Sequence, residues 1–186
     1  GLYTYADYLK WTIEERFEII KGKLFKMSPV PKRIHQKISG MIFNKIYNFL
    51  EGNPCDTYSA PFDVRLPVKS KKNNEIFTVV QPDICVVCDK EKLDEYGCIG
   101  APDIVVEILS KGNSKKELQY KYDVYEESGV KEYWVVNPDY ENLIIYKLVE
   151  SKYQPSRLLT RGDYVQTDIL PGFSLDLDEM FSAVED

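Results

Sequence analysis

Two acidic side chains stand next to or inside apolar strand patterns, where an unpaired charge is costly. Glu107 lies within the apolar run Ile104–Leu109, and Asp83 directly precedes the apolar run Ile84–Cys88. An ionised carboxylate in a buried strand costs several kcal/mol unless it is paired or binds a cation. Antiparallel pairing of the two runs would place Asp83 beside Glu107. These two acids are therefore the first candidates for a functional site.

The chemistry open to such a pair is the binding of a hard divalent cation. Carboxylates that converge with carbonyl or water oxygens suit Mg²⁺ or Mn²⁺ rather than zinc. The alternative is that Asp83 and Glu107 each satisfy a separate buried arginine or a helix N-terminus. The residue pattern alone leaves both alternatives open.

A lysine follows on the next helical pattern and faces the same way. Leu118, Tyr122 and Tyr125 form the core-facing stripe of this helix, and Lys121 lies at the edge of that stripe. A lysine beside two metal-binding carboxylates can orient an attacking water and stabilise charge on a pentavalent phosphorus. The alternative is a side chain that extends from the stripe to solvent.

Further charged residues in strand patterns have more than one possible use. Glu18 lies in an apolar stretch and could serve as a metal ligand or general base, or pair with Arg16 or Lys23 across a hairpin. Asp63 and Arg65 share one strand face, because side chains two residues apart point the same way. They either support the site or pair with each other.

The single histidine of the chain lies in its longest helical pattern, Lys32–Glu51. At about 100° per residue, His35 falls within the apolar arc of this helix. We therefore expect His35 to face inward. It is either a site residue or a core histidine that is hydrogen-bonded to a neighbour.

The order of predicted elements indicates an α/β fold, with a mixed central sheet flanked by helices. The uninterrupted run Ile104–Leu109 is typical of a central strand covered on both faces. We expect one domain over residues 1–186, with a β-hairpin appended at its C-terminal end. The predicted helices are Thr4–Lys10, Lys32–Glu51 and Ser114–Glu127, and the predicted strands are Arg16–Ile20, Lys23–Met27, Tyr58–Leu66, Glu75–Val80, Ile84–Cys88, Ile104–Leu109, Glu132–Asn137, Leu143–Val149 and Lys152–Leu159.

Composition narrows the class of protein. The 186 residues are 44% hydrophobic with a net charge of -6, which are globular values. No apolar stretch reaches the ~18 residues of a membrane helix, and no leader is visible, so we expect a cytoplasmic protein without a membrane partner. The net charge is +5 over residues 1–80 and -11 over residues 81–186. The basic part either contacts a polyanion or is a solvated face.

The four cysteines, Cys55, Cys85, Cys88 and Cys98, are expected to be reduced, because the chain shows no secretory signal. Cys85 and Cys88 form a C-x-x-C motif, but residues three apart in a strand point to opposite faces. They are therefore expected to be buried structural residues. The alternative is a zinc or thiol site that includes Cys98 and His35.

These residues fall within a series of segments with a specific order and spacing over about residues 3–181. The segments are Tyr5–Leu9, Arg16–Leu24, Met27–Pro29, His35–Ser39, Ala60–Leu66, Gln81–Ile84, Ala101–Ser110, Lys121 with Tyr125, Gly129-Val130 and Glu132–Trp134. The series resembles the Uma-type family of restriction endonuclease-like proteins, formerly a domain of unknown function, within the PD-(D/E)xK nuclease superfamily.

The resemblance implies a restriction-endonuclease-like core in which Asp83 and Glu107 occupy the two acidic motif positions. Leu109 occupies the position of the motif lysine, so the usual E-x-K form is absent. The lysine role would then belong to Lys121 on the following helix. The resemblance also places Glu18 and His35 near the site.

The activity implied by the resemblance is hydrolysis of phosphodiester bonds in DNA with Mg²⁺ (or Mn²⁺). Asp83 and Glu107 would hold the cation, which would polarise the phosphate and lower the pKa of a water. Lys121 would position that water, assisted by Glu18 or His35. A nuclease that cuts both strands commonly acts as a two-fold pair, so we expect a homodimer. The alternative function is an inactive nucleic-acid-binding or protein-interaction module on the same fold.

Overall fold

A computed structural model describes residues 1–27 and 31–183 of the chain. Ser28 and Pro29 of the segment Met27–Pro29 lie outside the described residues. The helices are α1 (Tyr5–Tyr8), α2 (Arg33–Phe49), α3 (Lys115–Ser128) and α4 (Leu177–Ser182). The strands are β1 (Phe17–Ile20), β2 (Lys23–Lys26), β3 (Asp56–Ser59), β4 (Asp63–Arg65), β5 (Val79–Val80), β6 (Ile84–Val87), β7 (Leu93–Asp94), β8 (Gly97–Ile99), β9 (Ile104–Ile108), β10 (Glu132–Asn137), β11 (Asn142–Val149), β12 (Lys152–Pro155), β13 (Leu159–Thr160), β14 (Tyr164–Val165) and β15 (Leu175–Asp176).

The larger sheet has the strand order β12-β11-β10-β9-β6-β3, with β13 paired to β11. Strands β9 and β10 run parallel, and α3 connects them, as a parallel crossover requires. Strand β6 pairs with β9 in the antiparallel direction. The predicted mixed sheet with flanking helices is therefore confirmed. The predicted hairpin is formed by β11 and β12 at the sheet edge, and β14 and β15 form a further C-terminal pair.

The central strand β9 is covered on both faces, as its apolar run predicts. Ile104 and Val106 pack with Ile42 of α2 on one face. Val105 packs with Tyr125 of α3 on the other face. A second sheet has the strand order β2-β1-β5-β4-β8-β7 and contributes to the hydrophobic core on the α3 side of the larger sheet. Since successive side chains of a strand alternate, Glu107 faces the same layer as Val105.

Capping residues define the start of α1 and both ends of α3. Thr4 caps α1 with a capping box that it shares with Asp7. Ser114 caps α3 by accepting a hydrogen bond from the Glu117 amide, and Gly129 ends the helix in a left-handed conformation with φ 89°. The predicted orientation of Lys121 on α3 depends on these boundaries.

Three predicted strands differ from the observed ones. The predicted strand Lys152–Leu159 is divided into β12 and β13. The predicted strand Tyr58–Leu66 is two strands in different sheets, β3 and β4, because Pro61 has no amide hydrogen to continue a ladder. The predicted strand Glu75–Val80 is reduced to β5, and Asn73–Glu75 forms a single 3-10 turn.

The expectation that all cysteines are reduced is wrong for Cys55 and Cys88, which form a disulfide between the ends of β3 and β6. Cys85 and Cys98 are buried free thiols. Cys85 and Cys88 pack in different layers, as the strand argument predicts. The zinc alternative is wrong, because the disulfide removes Cys88 as a ligand. The described residues also contain no cluster of three potential metal ligands, His35 included.

In the described ranges, none of the helices has both the length and the apolar composition that a bilayer span needs.

The apolar stripe of α2 is expected to supply much of the stability of the fold. Ile42 is fully buried against the sheet, so Ile42→Ala should lower the free energy of unfolding by about 2–5 kcal/mol. Urea denaturation followed by circular dichroism measures this change. Lys37 is exposed on the same helix, and Lys37→Ala should change stability by less than about 0.5 kcal/mol. Equal losses in the two variants would contradict this packing.

Candidate functional site

The two acids predicted from the sequence meet at the ends of adjacent strands. Strands β6 and β9 pair Ile84 with Val106 in the antiparallel direction. One further step of this register puts Asp83 opposite Glu107, and directly opposite residues lie on the same face of a sheet. Asp83 and Glu107 line one pocket.

Glu107 is a buried carboxylate held by two donors of α3. Lys121 Nζ donates to Glu107 Oε1 at 3.0 Å, and the Tyr125 hydroxyl donates to the same oxygen at 2.9 Å. Burial raises the pKa of Glu107 to about 8; Lys121 opposes this shift, whereas the charges of Asp83 and Glu18 add to it. The Glu107 carboxyl therefore takes up a proton more readily than an ordinary glutamate does.

Glu18 completes this cluster from β1. Its Oε2 lies 3.0 Å from Lys121 Nζ. Its Oε1 accepts a hydrogen bond from the backbone amide of Gln81 at 2.8 Å. Burial disfavours the charged form of Lys121, but Glu107 and Glu18 together raise the pKa of Lys121 well above its ordinary value. Lys121 is thus a fixed cation between two acids. Glu18 does not pair with either hairpin partner considered above.

Asp83 contacts the last residue of β9 and the histidine of α2. The Ile108 amide donates to Asp83 Oδ2 at 2.7 Å, and His35 Nε2 lies 3.3 Å from the same oxygen. Burial opposes the charge of His35, but its hydrogen bond to Asp83 and the charges of Asp83 and Glu107 raise the pKa of His35. His35 therefore faces inward, as predicted, and contacts Asp83.

A cavity of about 150 Å³ brings four of the five predicted site residues together. Asp83, Glu107, Lys121 and His35 line this cavity. Glu18 lies behind it and reaches the others through Lys121.

The donor atoms that remain fit a hard divalent cation. Asp83 Oδ1 and Glu107 Oε2 make no hydrogen bond to the described protein groups, while their companion oxygens are occupied. The residues the structure describes contain no group of three side chains able to hold a metal. The protein would therefore supply two carboxylates, and water or substrate oxygens would complete the shell. This is the usual situation for Mg²⁺.

Among the pocket residues outside the sequence-based site prediction, three are close to the predicted acids and Lys121 in sequence. Glu117 is one helical turn before Lys121. Burial raises the pKa of Glu117 most strongly, and the charge of Glu18 adds to this shift, whereas the charge of Lys121 opposes it. Arg16 precedes Glu18 by two residues, and Gln81 precedes Asp83 by two. The i, i+4 spacing to Lys121 is the sequence signal for Glu117. Arg16 and Gln81 lie outside the strands, so no strand spacing identifies them.

Asp63 and Arg65 support the site's surroundings rather than pair with each other. Asp63 Oδ1 accepts a hydrogen bond from Gln81 Nε2 at 2.8 Å. Arg65 instead pairs with Asp94 and donates to the Cys98 carbonyl.

Comparisons with known proteins agree with this architecture. A family model described as "Uma2: Putative restriction endonuclease" matches residues 5–178. A crystal structure from Anabaena variabilis, titled as that of "a putative nuclease belonging to DUF820", superposes with a TM-score of 0.76 at 19% sequence identity. The match covers 98% of this chain and 99% of that one, which confirms the predicted nuclease-like fold. No curated protein matches the chain.

Proposed function

The chain belongs to the Uma2 family of restriction endonuclease-like proteins, and we propose that it hydrolyses phosphodiester bonds in DNA with Mg²⁺ or Mn²⁺. One observation supports the proposal most directly. Asp83 and Glu107 lie side by side at the strand ends of a pocket, and the fixed cation Lys121 is 3.0 Å from Glu107.

Asp83 and Glu107 would hold the cation with the two carboxylate oxygens that no described protein group contacts. When bound, the cation would polarise the phosphate and lower the pKa of the attacking water. His35 and the Ile108 amide fix Asp83 in place, because both contact its Oδ2. Tyr125 fixes Glu107 in the same way.

Lys121 would orient the attacking water and stabilise the charge that develops on phosphorus. Its two carboxylate partners hold the ammonium group in one place, so little reorganisation is needed during the reaction. Glu18 would act through Lys121, since it keeps that lysine charged. His35 is a neighbouring group whose imidazole can exchange a proton near neutral pH.

The proposal is tested by incubating plasmid and short duplexes with the protein and Mg²⁺ or Mn²⁺. We expect cleavage that stops when EDTA removes the cation and resumes when excess Mg²⁺ is added. Activity that persists in EDTA would contradict the metal assignment. Absence of cleavage with either cation on any substrate would favour the alternative function.

That alternative is an inactive binding or interaction module, and one observation favours it. Lys121 is already paired with both Glu18 and Glu107, an arrangement that would also stabilise a fold without catalysis. Duplex binding without cleavage would support this module. The single domain, the homodimer and the cytoplasmic location stay predictions.

The hydroxyl of Tyr125 is expected to contribute to activity through Glu107. Tyr125→Phe removes one of the two donors to Glu107 Oε1 and leaves the ring in place. A net hydrogen bond to a charged group contributes about 1.5–3 kcal/mol, so we expect a ~10-fold or larger fall in cleavage rate. Tyr146→Phe, which changes a nearby ring outside the pocket, is the control. Equal rates for parent and Tyr125→Phe would exclude this role.

A further inference from the structure

Arg16 is held at the pocket by a neutral partner. Its Nε and Nη2 both donate to Gln81 Oε1, at 3.1 and 2.6 Å. Arg16 is exposed and lines the same cavity as Asp83 and Glu107. A two-point contact fixes the plane of the guanidinium group. The side chain is therefore directed by the protein rather than free in solvent.

The charge of Arg16 is not neutralised by its anchor. In residues 1–27 and 31–183, no carboxylate lies within ion-pair distance of Arg16, and a carboxamide carries no charge. The other cationic groups of the pocket differ in this respect. Lys121 is paired with two acids, and His35 faces Asp83. Arg16 is thus the pocket cation whose charge remains available to an anion.

Partly buried contacts determine which way the Gln81 carboxamide points. Its Nε2 donates to Asp63 Oδ1 at 2.8 Å and to the Tyr8 hydroxyl at 3.0 Å. These two acceptors require the nitrogen on their side and so direct Oε1 toward Arg16. The backbone amide of Gln81 donates to Glu18 at the same time. One buried residue therefore sets the positions of both an exposed cation and the carboxylate cluster.

We propose that Arg16 binds a non-bridging oxygen of a substrate phosphate at the mouth of this pocket. A planar guanidinium matches the geometry of a phosphate, and its remaining donors face the side away from Gln81. The inference rests on the proposed function, because it assigns the anion to the DNA backbone. Arg16 would then hold the phosphate next to the carboxylates, and Gln81 is the residue that positions Arg16.

Binding is measured separately from cleavage. Anisotropy of a fluorescent duplex is recorded with Ca²⁺ in place of Mg²⁺, over a series of KCl concentrations, for the parent, Arg16→Gln and Arg16→Lys. Arg157→Gln is the matched control, because it removes an exposed arginine that pairs with Asp163 outside the pocket. Thermal melting establishes that each variant is folded.

We expect Arg16→Gln to bind about 10-fold more weakly and to lower the salt slope by about 1, the effect of one lost phosphate contact. Arg16→Lys should retain the slope but bind a few-fold more weakly, since a lysine lacks the two-point anchor. Arg157→Gln should match the parent.

Parent-like affinity and slope in Arg16→Gln would overturn the inference even if the parent cleaves DNA. A parent that binds the duplex with Ca²⁺ but does not cleave it with Mg²⁺ or Mn²⁺, together with weaker binding in Arg16→Gln, would support the inference and contradict the nuclease. A parent that binds no duplex would overturn the inference.

Discussion

Lys121→Met is expected to lower the free energy of unfolding by about 3–5 kcal/mol and to abolish cleavage. The ammonium group lies 3.0 Å from both Glu18 and Glu107, and all three side chains are buried. Removing one member of a buried ion pair leaves an uncompensated charge, which is the costly case. Methionine retains most of the length of the lysine side chain, so lost packing makes only a small contribution. Urea denaturation measures the loss.

Two further variants separate lost charge from lost packing. Lys147 pairs with Asp168 on the surface, and Lys147→Met should cost less than about 1 kcal/mol. Adding Glu107→Gln to Lys121→Met should restore part of the lost stability, because it removes one of the stranded carboxylates. A Lys121→Met protein as stable as the Lys147→Met protein would contradict the buried ion cluster.

Asp83→Asn and Glu107→Gln are each expected to reduce the cleavage rate at least about 100-fold while the fold is retained. Either change would remove one of the two carboxylates proposed to hold the cation, and a bound cation contributes several kcal/mol of charge stabilisation. Each 1.4 kcal/mol that is lost lowers the rate about tenfold. Glu107→Gln also removes a charge that burial disfavours, as the raised pKa of Glu107 indicates. We therefore expect its stability to be close to that of the parent.

Single-turnover cleavage with saturating Mg²⁺ and a thermal melt are measured for each variant. Asp168 is exposed and remote from the pocket, so Asp168→Asn should cleave like the parent. Cleavage unchanged in both Asp83→Asn and Glu107→Gln would exclude this pocket as the active site. Loss of activity together with unfolding would point instead to a structural role.

Much of the fold can be predicted from periodicity because each long element has one dominant pattern. The stripe of Ile38, Ile42 and Ile46 defines α2, and the apolar run of β9 defines the sheet centre. Contacts between segments distant in sequence are harder to predict. Cys55 and Cys88 are 33 residues apart, and only the β3–β6 register brings them together. Local patterns contain no information about that register.

The acids of the site could be predicted because burial makes their charge conspicuous. Glu107 interrupts an apolar strand, and the segment between β6 and β9, which contains β7 and β8, permits the antiparallel pairing that brings Asp83 beside it. Arg16 lacks such a signal. It lies just before β1 on the exposed side, and arginine is common at such positions. Its role depends on the side-chain direction of Gln81, which tertiary contacts decide.

The parallel pairing of β9 with β10 gives the pocket two parts that should differ in how readily they open. Glu107 is on a strand with neighbours on both sides, so its backbone is expected to exchange amide hydrogens only when the whole sheet unfolds. Arg16 lies outside the strands, just before β1, and is exposed, so its segment can open by local fluctuation at lower free energy. The carboxylates would then remain in place while the phosphate-binding side admits and releases a long polymer.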